Sequence, residues 1–158
     1  MGNKYLMGKY GALAPNEGVR GDGQTSVVYN PTTGELAVDA PAGTQLTSVN
    51  IDSAGRIFTG APAQNLGGSF DNDADNNIFK ATFGSSFGTL SFGNVAQPGL
   101  SKSFVTNDLT VVGSLAGGGA LGAVDLIYVP EPSSIAMLLA ALLTLGCVSA
   151  RRWRVRLT

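Results

Sequence analysis

The chain has no histidine and a single cysteine, Cys147, which sits inside an apolar run near the end. Those two absences exclude an intramolecular disulfide, thiol–zinc ligation and any mechanism that needs an imidazole base. Charge is scarce too: Asp, Glu, Lys and Arg make up 13% of 158 residues, about half the usual share. Contact with water then falls to Ser, Thr, Asn and Gly, a balance common in exported β proteins. Four of the ten basic residues, Arg151, Arg152, Arg154 and Arg156, stand in the last eight positions, so the rest of the chain is mildly acidic. It lacks the basic stripe that displaces counterions, and no nucleic-acid partner is expected. No acid–base pair is recognisable either, so the chain reads as non-catalytic.

The length suits one modest domain with appendages. Between Gln24 and Val129, short alternating segments recur with turn signals between them, as in an antiparallel sheet protein. Phe79, Ala81 and Phe83 share one face of a strand, as do Val49 and Ile51, Leu90 and Phe92, and Val124, Leu126 and Tyr128. Asn30-Pro31-Thr32-Thr33-Gly34 joins Ser26–Tyr29 to Leu36–Ala40 as a tight hairpin. Ser53-Ala54-Gly55 joins Leu46–Asp52 to Arg56–Thr59 in the same way, with Gly where φ is positive. The expectation is a mainly β fold of roughly nine strands, an antiparallel β-sandwich of jelly-roll-like form, followed by one C-terminal transmembrane helix. Phe58, Phe70, Phe79, Phe83, Phe87, Phe92 and Phe104 are the expected bulk of its core.

Three motifs look like chemistry. Gly84-Ser85-Ser86-Phe87-Gly88 matches the nucleophile elbow, but without a histidine it reads as a serine-rich hairpin. Gly117 to Gly122 matches a dinucleotide fingerprint, yet a strand follows instead of a helix, so it reads as a hairpin loop. Asp71-Asn72-Asp73-Ala74-Asp75 places carboxylates at alternate positions, so Asp71, Asp73 and Asp75 could converge on Ca²⁺; a solvated acidic loop is the other reading. Aromatic platforms for carbohydrate are sparse: the only Trp is Trp153, which leaves Tyr29 and Tyr128 as the domain's tyrosines.

From Ile135 to Ala150, 16 residues carry no charge and are rich in Leu and Ala. As a helix the run spans roughly 24 Å, short of a bilayer core of about 30 Å, and Ser133 and Ser134 extend it. A buried core helix is the alternative. Arg151 and Arg152 favour the membrane reading, since they snorkel to headgroups, and the arginine cluster keeps that end cytoplasmic. Ahead of it, Pro130-Glu131-Pro132 interrupts both helix and strand, leaving a stiff extended spacer. Spacer, apolar run and basic end in this order resemble the PEP-CTERM sorting signal of bacteria that possess an exosortase. That resemblance implies export, transient membrane anchoring, recognition of Pro130, Glu131 and Pro132 by the exosortase, and cleavage at the envelope. The wording of the domain, LTSVNIDSAGRIFTG and later SFGTLSFGNVA, also resembles small β domains of planctomycete-type secreted proteins.

The expected organisation is therefore a linker or the end of an upstream region over 1–23, a β-sandwich domain over 24–129, and a sorting tail over 130–158. Within that tail the helix covers 133–150 and the basic end 151–158. Met1 to Gly11 holds no apolar run of signal-peptide length, so the natural start is expected upstream of Met1. The expected role is a non-catalytic exported cell-envelope or extracellular-matrix protein, membrane-anchored during sorting and then surface-attached or secreted. Its expected partners are the exosortase, the export machinery, the membrane and extracellular polysaccharide. Two alternatives stay open: a calcium-assisted glycan-binding module, and the non-catalytic end of a larger exported enzyme.

Overall fold

The computed structural model describes residues 15–19 and 21–129; the predicted sorting tail, with Pro130, Glu131, Pro132 and the four arginines, lies outside them. No helix among the described residues is long and apolar enough to cross a membrane. The described chain is mainly β. In order it forms β1 (Asn16–Glu17), β2 (Ser26–Asn30), β3 (Glu35–Asp39), β4 (Leu46–Ser53), β5 (Asn72–Ala74), β6 (Asn77–Ala81) and β7 (Leu90–Gly93). Helix α1 (Lys102–Asp108), β8 (Leu109–Leu115) and β9 (Asp125–Tyr128) follow. One sheet runs β1-β9-β2-β3-β7 and the other β5-β6-β4-β8.

Both sheets feed one core. The β2–β3 hairpin pairs Val27 with Val38 and Tyr29 with Leu36, so four fully buried side chains share a face. Strand β4 alternates as its sequence does, with Val49 and Ile51 inward, and Ile51 stands opposite Ile78 of β6 and Val111 of β8. These residues join Val27, Leu36 and Val38 in a single apolar cluster, which is the dominant stabilising term of such a domain. Strand β9 lies between β1 and β2 in the first sheet and runs parallel to both. The expected sheets were wholly antiparallel. Hairpins force opposite directions only on strands adjacent in sequence, and almost a hundred residues separate β2 from β9, so either direction is open to them.

Helix α1 is a further addition to the expected elements. Its signal is Ser101, whose side chain accepts from the Phe104 N–H and caps a single seven-residue stretch that buries Val105. The segment Arg56–Thr59, expected as a strand, is not one. Ile57 and Phe58 are adjacent and both buried, which a one-sided strand forbids, and Phe58 makes only an isolated bridge to Ala96. The positive φ of that turn falls on Arg56 (55°) and not on Gly55. Gly55 is required for closeness instead: a Cβ there would stand 2.7 Å from Asp108 Oδ1.

The aromatic core also differs from expectation. Phe58 and Phe92 are buried, but Phe70, Phe83 and Phe104 are 64%, 76% and 43% exposed. Tyr29, by contrast, is wholly buried: its hydroxyl donates to the Gln97 carbonyl at 2.6 Å and accepts from Leu100 N–H at 3.2 Å. Tyr128 tilts against it with ring centroids 5.8 Å apart and donates to the Leu100 carbonyl. The two tyrosines are structural pins for the 97–100 loop and do not form a surface platform.

Candidate functional site

The open end of the β5–β6 hairpin carries the most unusual surface. Strands β5 and β6 meet through a two-residue turn at Asp75 and Asn76, so the Asp71–Asn77 segment is an edge hairpin and not a loop. At its other end Asp71 gathers the preceding chain. Its Oδ2 accepts from Gly67 and Gly68 N–H at 2.9 Å each, and its Oδ1 accepts from Ala81 N–H at 2.9 Å. Lys80 Nζ lies 3.8 Å away, donates to the Asn65 carbonyl at 2.5 Å and sits 5.6 Å from the Phe87 ring centre. Burial pushes the Asp71 carboxyl up, but the three backbone donors and Lys80 outweigh it and hold its pKa below the ordinary 3.8.

Those bonds fix Phe70 beside Phe83. The two rings tilt at 59° with centroids 5.1 Å apart. Between them and the 82–85 turn lies a groove of about 260 Å³ lined by Gly68, Ser69, Phe70, Lys80, Ala81, Thr82, Phe83 and Ser85. Thr82 is anchored by its N–H to the Thr47 carbonyl at 2.8 Å, and its hydroxyl lies 2.9 Å from the Ser85 carbonyl. Gly84 turns the rim with φ of 74°. The Gly84–Gly88 motif is thus part of this rim, and Ser86 donates to Gln45 Oε1 at 3.1 Å.

The same geometry keeps the three carboxylates of the calcium expectation, Asp71, Asp73 and Asp75, on separate partners. Asp73 accepts from Ala63 N–H at 2.7 Å, and Asp75 pairs with Arg56 at 2.8 Å, so each of the three carboxylates serves a different segment. A strand rises about 3.3 Å per residue, which spreads Asp71 and Asp75 roughly 13 Å apart, whereas one calcium ion needs its oxygens within about 2.6 Å. Among the described residues no three acidic, His or Cys side chains stand close enough to hold a metal. The Gly117–Gly122 segment turns after β8 with Gly118 and Gly119 at positive φ, and Gly118 N–H bonds back to Leu115.

Two other polar clusters are structural. Buried Asp108 accepts from Ser53 Oγ and from Gly55 N–H, both at 2.5 Å, while Ser53 Oγ accepts from Ile57 N–H; every oxygen is committed and the serine is 4% exposed. Asp125, 3% exposed on β9, faces Asp22. Burial, and then the Asp22 carboxylate, raise the Asp125 pKa above 3.8; the Gln24 N–H first among several contacts lowers that of Asp22. A raised folded pKa means that ionising Asp125 costs more in the folded chain, so its contribution is lost as pH rises from 3.8 through the folded value. Asp125→Asn is accordingly expected to melt higher than the wild type at pH 7, with the advantage shrinking toward pH 4. Thermal melts at the two pH values check this.

No family model, no curated protein and no solved structure matches this chain.

Proposed function

We propose that the chain is a non-catalytic exported protein of the cell envelope or extracellular matrix, in which a jelly-roll-like β-sandwich is displayed outside the cell. Its C-terminal tail, 130–158, directs sorting: the 133–150 helix anchors it in the membrane, and an exosortase cleaves at Pro130-Glu131-Pro132. The observation that supports this reading is how closely the motif follows the last described strand. Strand β9 ends at Tyr128, and among the described residues the chain is last held by the bond from Val129 N–H to the Tyr29 carbonyl at 2.9 Å, one residue before Pro130. A processing enzyme that cuts at the motif would leave every described ladder bond of both sheets in place.

The test is replacement of Glu131 in a host that has an exosortase. Glu131→Ala is expected to accumulate as the larger, membrane-bound form, while the wild type is converted to a shorter product, both followed by immunoblot of membrane and surface fractions. Equal processing of both chains would refute the sorting role of the motif.

A further inference from the structure

The Phe70–Phe83 groove is not part of the apolar core. Burying a phenyl side chain stabilises a fold by about 1.5–3 kcal/mol, yet these two rings stay 64% and 76% exposed in a chain whose core is built from other residues. They are adjacent, tilted and held in place from below, with Asp71 and Ala81 fixing one side and Thr82 the other. A ligand meeting them loses little to ordering of the site.

The lining selects the ligand's chemistry. Two aromatic faces favour flat apolar C–H surface, and the Ser69 and Ser85 hydroxyls offer hydrogen bonds at the rim, beside the remaining lone pairs of the Thr82 hydroxyl. The one cation present, Lys80, is already held by Asn65, Asp71 and Phe87, so no free charge is left to favour an anion or an anionic membrane. Eight residues line the groove, well below the roughly 20–30 per side of a stable protein interface. An open groove of about 260 Å³ suits a small ligand of one or two rings. We infer that this groove binds a neutral saccharide, one ring resting against Phe70 and Phe83 with its hydroxyls bonded to the rim.

A longer chain has a path onward from Ala81. On the outer face of β6 follow Phe79 and Asn77, and Asn77 Nδ2 donates to Asn50 Oδ1 at 2.6 Å and to Asp52 Oδ1 at 2.8 Å. This fixed amide and carboxylate ladder would meet further hydroxyls. The inference deepens the proposed surface role, since it supplies the contact with extracellular polysaccharide, and it requires no calcium.

The test uses the full chain in a detergent without a sugar headgroup, titrated calorimetrically in EDTA with neutral hexasaccharides of glucose, mannose, xylose and N-acetylglucosamine. At least one is expected to bind. Phe70→Ala and Phe83→Ala should each weaken it about tenfold or more, while Phe104→Ala, an exposed ring outside the groove, should leave it unchanged. Thermal melts of the two groove variants should match the wild type, since neither ring is buried. Binding by none of the four sugars, binding undiminished in the Phe70→Ala/Phe83→Ala double variant, or dependence on calcium would each overturn the assignment. So would concentration-dependent dimerisation in sedimentation that the double variant abolishes, because a second copy would then be the occupant. Processing at Glu131 is read separately, so the groove can fail while the sorting role stands.

Discussion

Gly34→Ala is expected to remove about 3–5 kcal/mol of stability, the largest loss from any single methyl group added to this domain. Gly34 closes the β2–β3 hairpin at φ of 73°, a conformation that costs an L-residue about 1–2 kcal/mol. The second term is larger and comes from a contact distant in sequence. A Cβ at position 34 would stand 2.0 Å from the Ala96 carbonyl oxygen, so the hairpin and the 95–97 loop would have to separate. That separation strains the bond from Ala96 N–H to the Gly34 carbonyl at 3.0 Å and loosens Val95 and Ala96, both buried against the core. Gly43 is the control, because its φ is 84° but nothing lies within 4 Å of its added Cβ. Gly43→Ala should cost only about 1–2 kcal/mol. Urea unfolding of both variants separates the terms; equal losses would mean that backbone conformation alone is at stake. Against a total stability of about 5–15 kcal/mol, the larger loss leaves Gly34→Ala close to unfolding.

The loss expected for Asp71→Ala is about 2–3 kcal/mol, because three backbone N–H groups and a lysine lose a charged acceptor together. The side chain is 4% exposed, so water does not readily replace it at Gly67, Gly68 and Ala81. Its charge dictates the pH dependence. The folded pKa lies below the ordinary 3.8, so the contribution is fully present above that value and is lost as pH falls through the folded pKa. The gap between wild type and Asp71→Ala should hold steady from pH 7 to about pH 5 and close below about pH 4. Asp71→Asn keeps one acceptor oxygen and should recover about half of the loss. A gap that does not change with pH would assign the effect to packing. Saccharide binding should weaken alongside stability, since the turn that Asp71 organises carries Phe70.

The local alternation of apolar residues was enough to locate β4, β6, β7 and β9, because the side-chain period of a strand is written directly in the sequence, and the Asn30–Gly34 turn located β2 and β3. In β6, however, Ile78 turns inward and the expected face of Phe79, Ala81 and Phe83 does not. The Asn30–Gly34 hairpin was legible for the same kind of reason, as Gly34 alone among its residues tolerates the required φ. The pattern of Asp71, Asp73 and Asp75 was legible as well, but its meaning was not. Alternate carboxylates look alike in a loop that folds around an ion and in a strand that spreads them apart. Pairing of Asn72–Ala74 with β6 decides for the strand.

The groove escaped sequence reading because burial is a property of neighbours. Phe58 and Phe83 are the same residue type in similar short apolar contexts, yet Phe58 is 3% exposed and Phe83 76%. Which of them turns inward depends on chain that arrives from far away: among the described residues Ala96 bridges to Phe58, whereas Phe83 stays exposed. By itself, then, the sequence determined β2, β3, β4, β6, β7 and β9, the tight turn at Gly34 and the order of spacer, apolar run and arginines that suggests sorting, since each depends only on residues near one another in the chain. The parallel return of β9, the separate employment of the three aspartates and the exposed aromatic pair were decided only by tertiary structure, because each depends on how separate segments of the chain pack together.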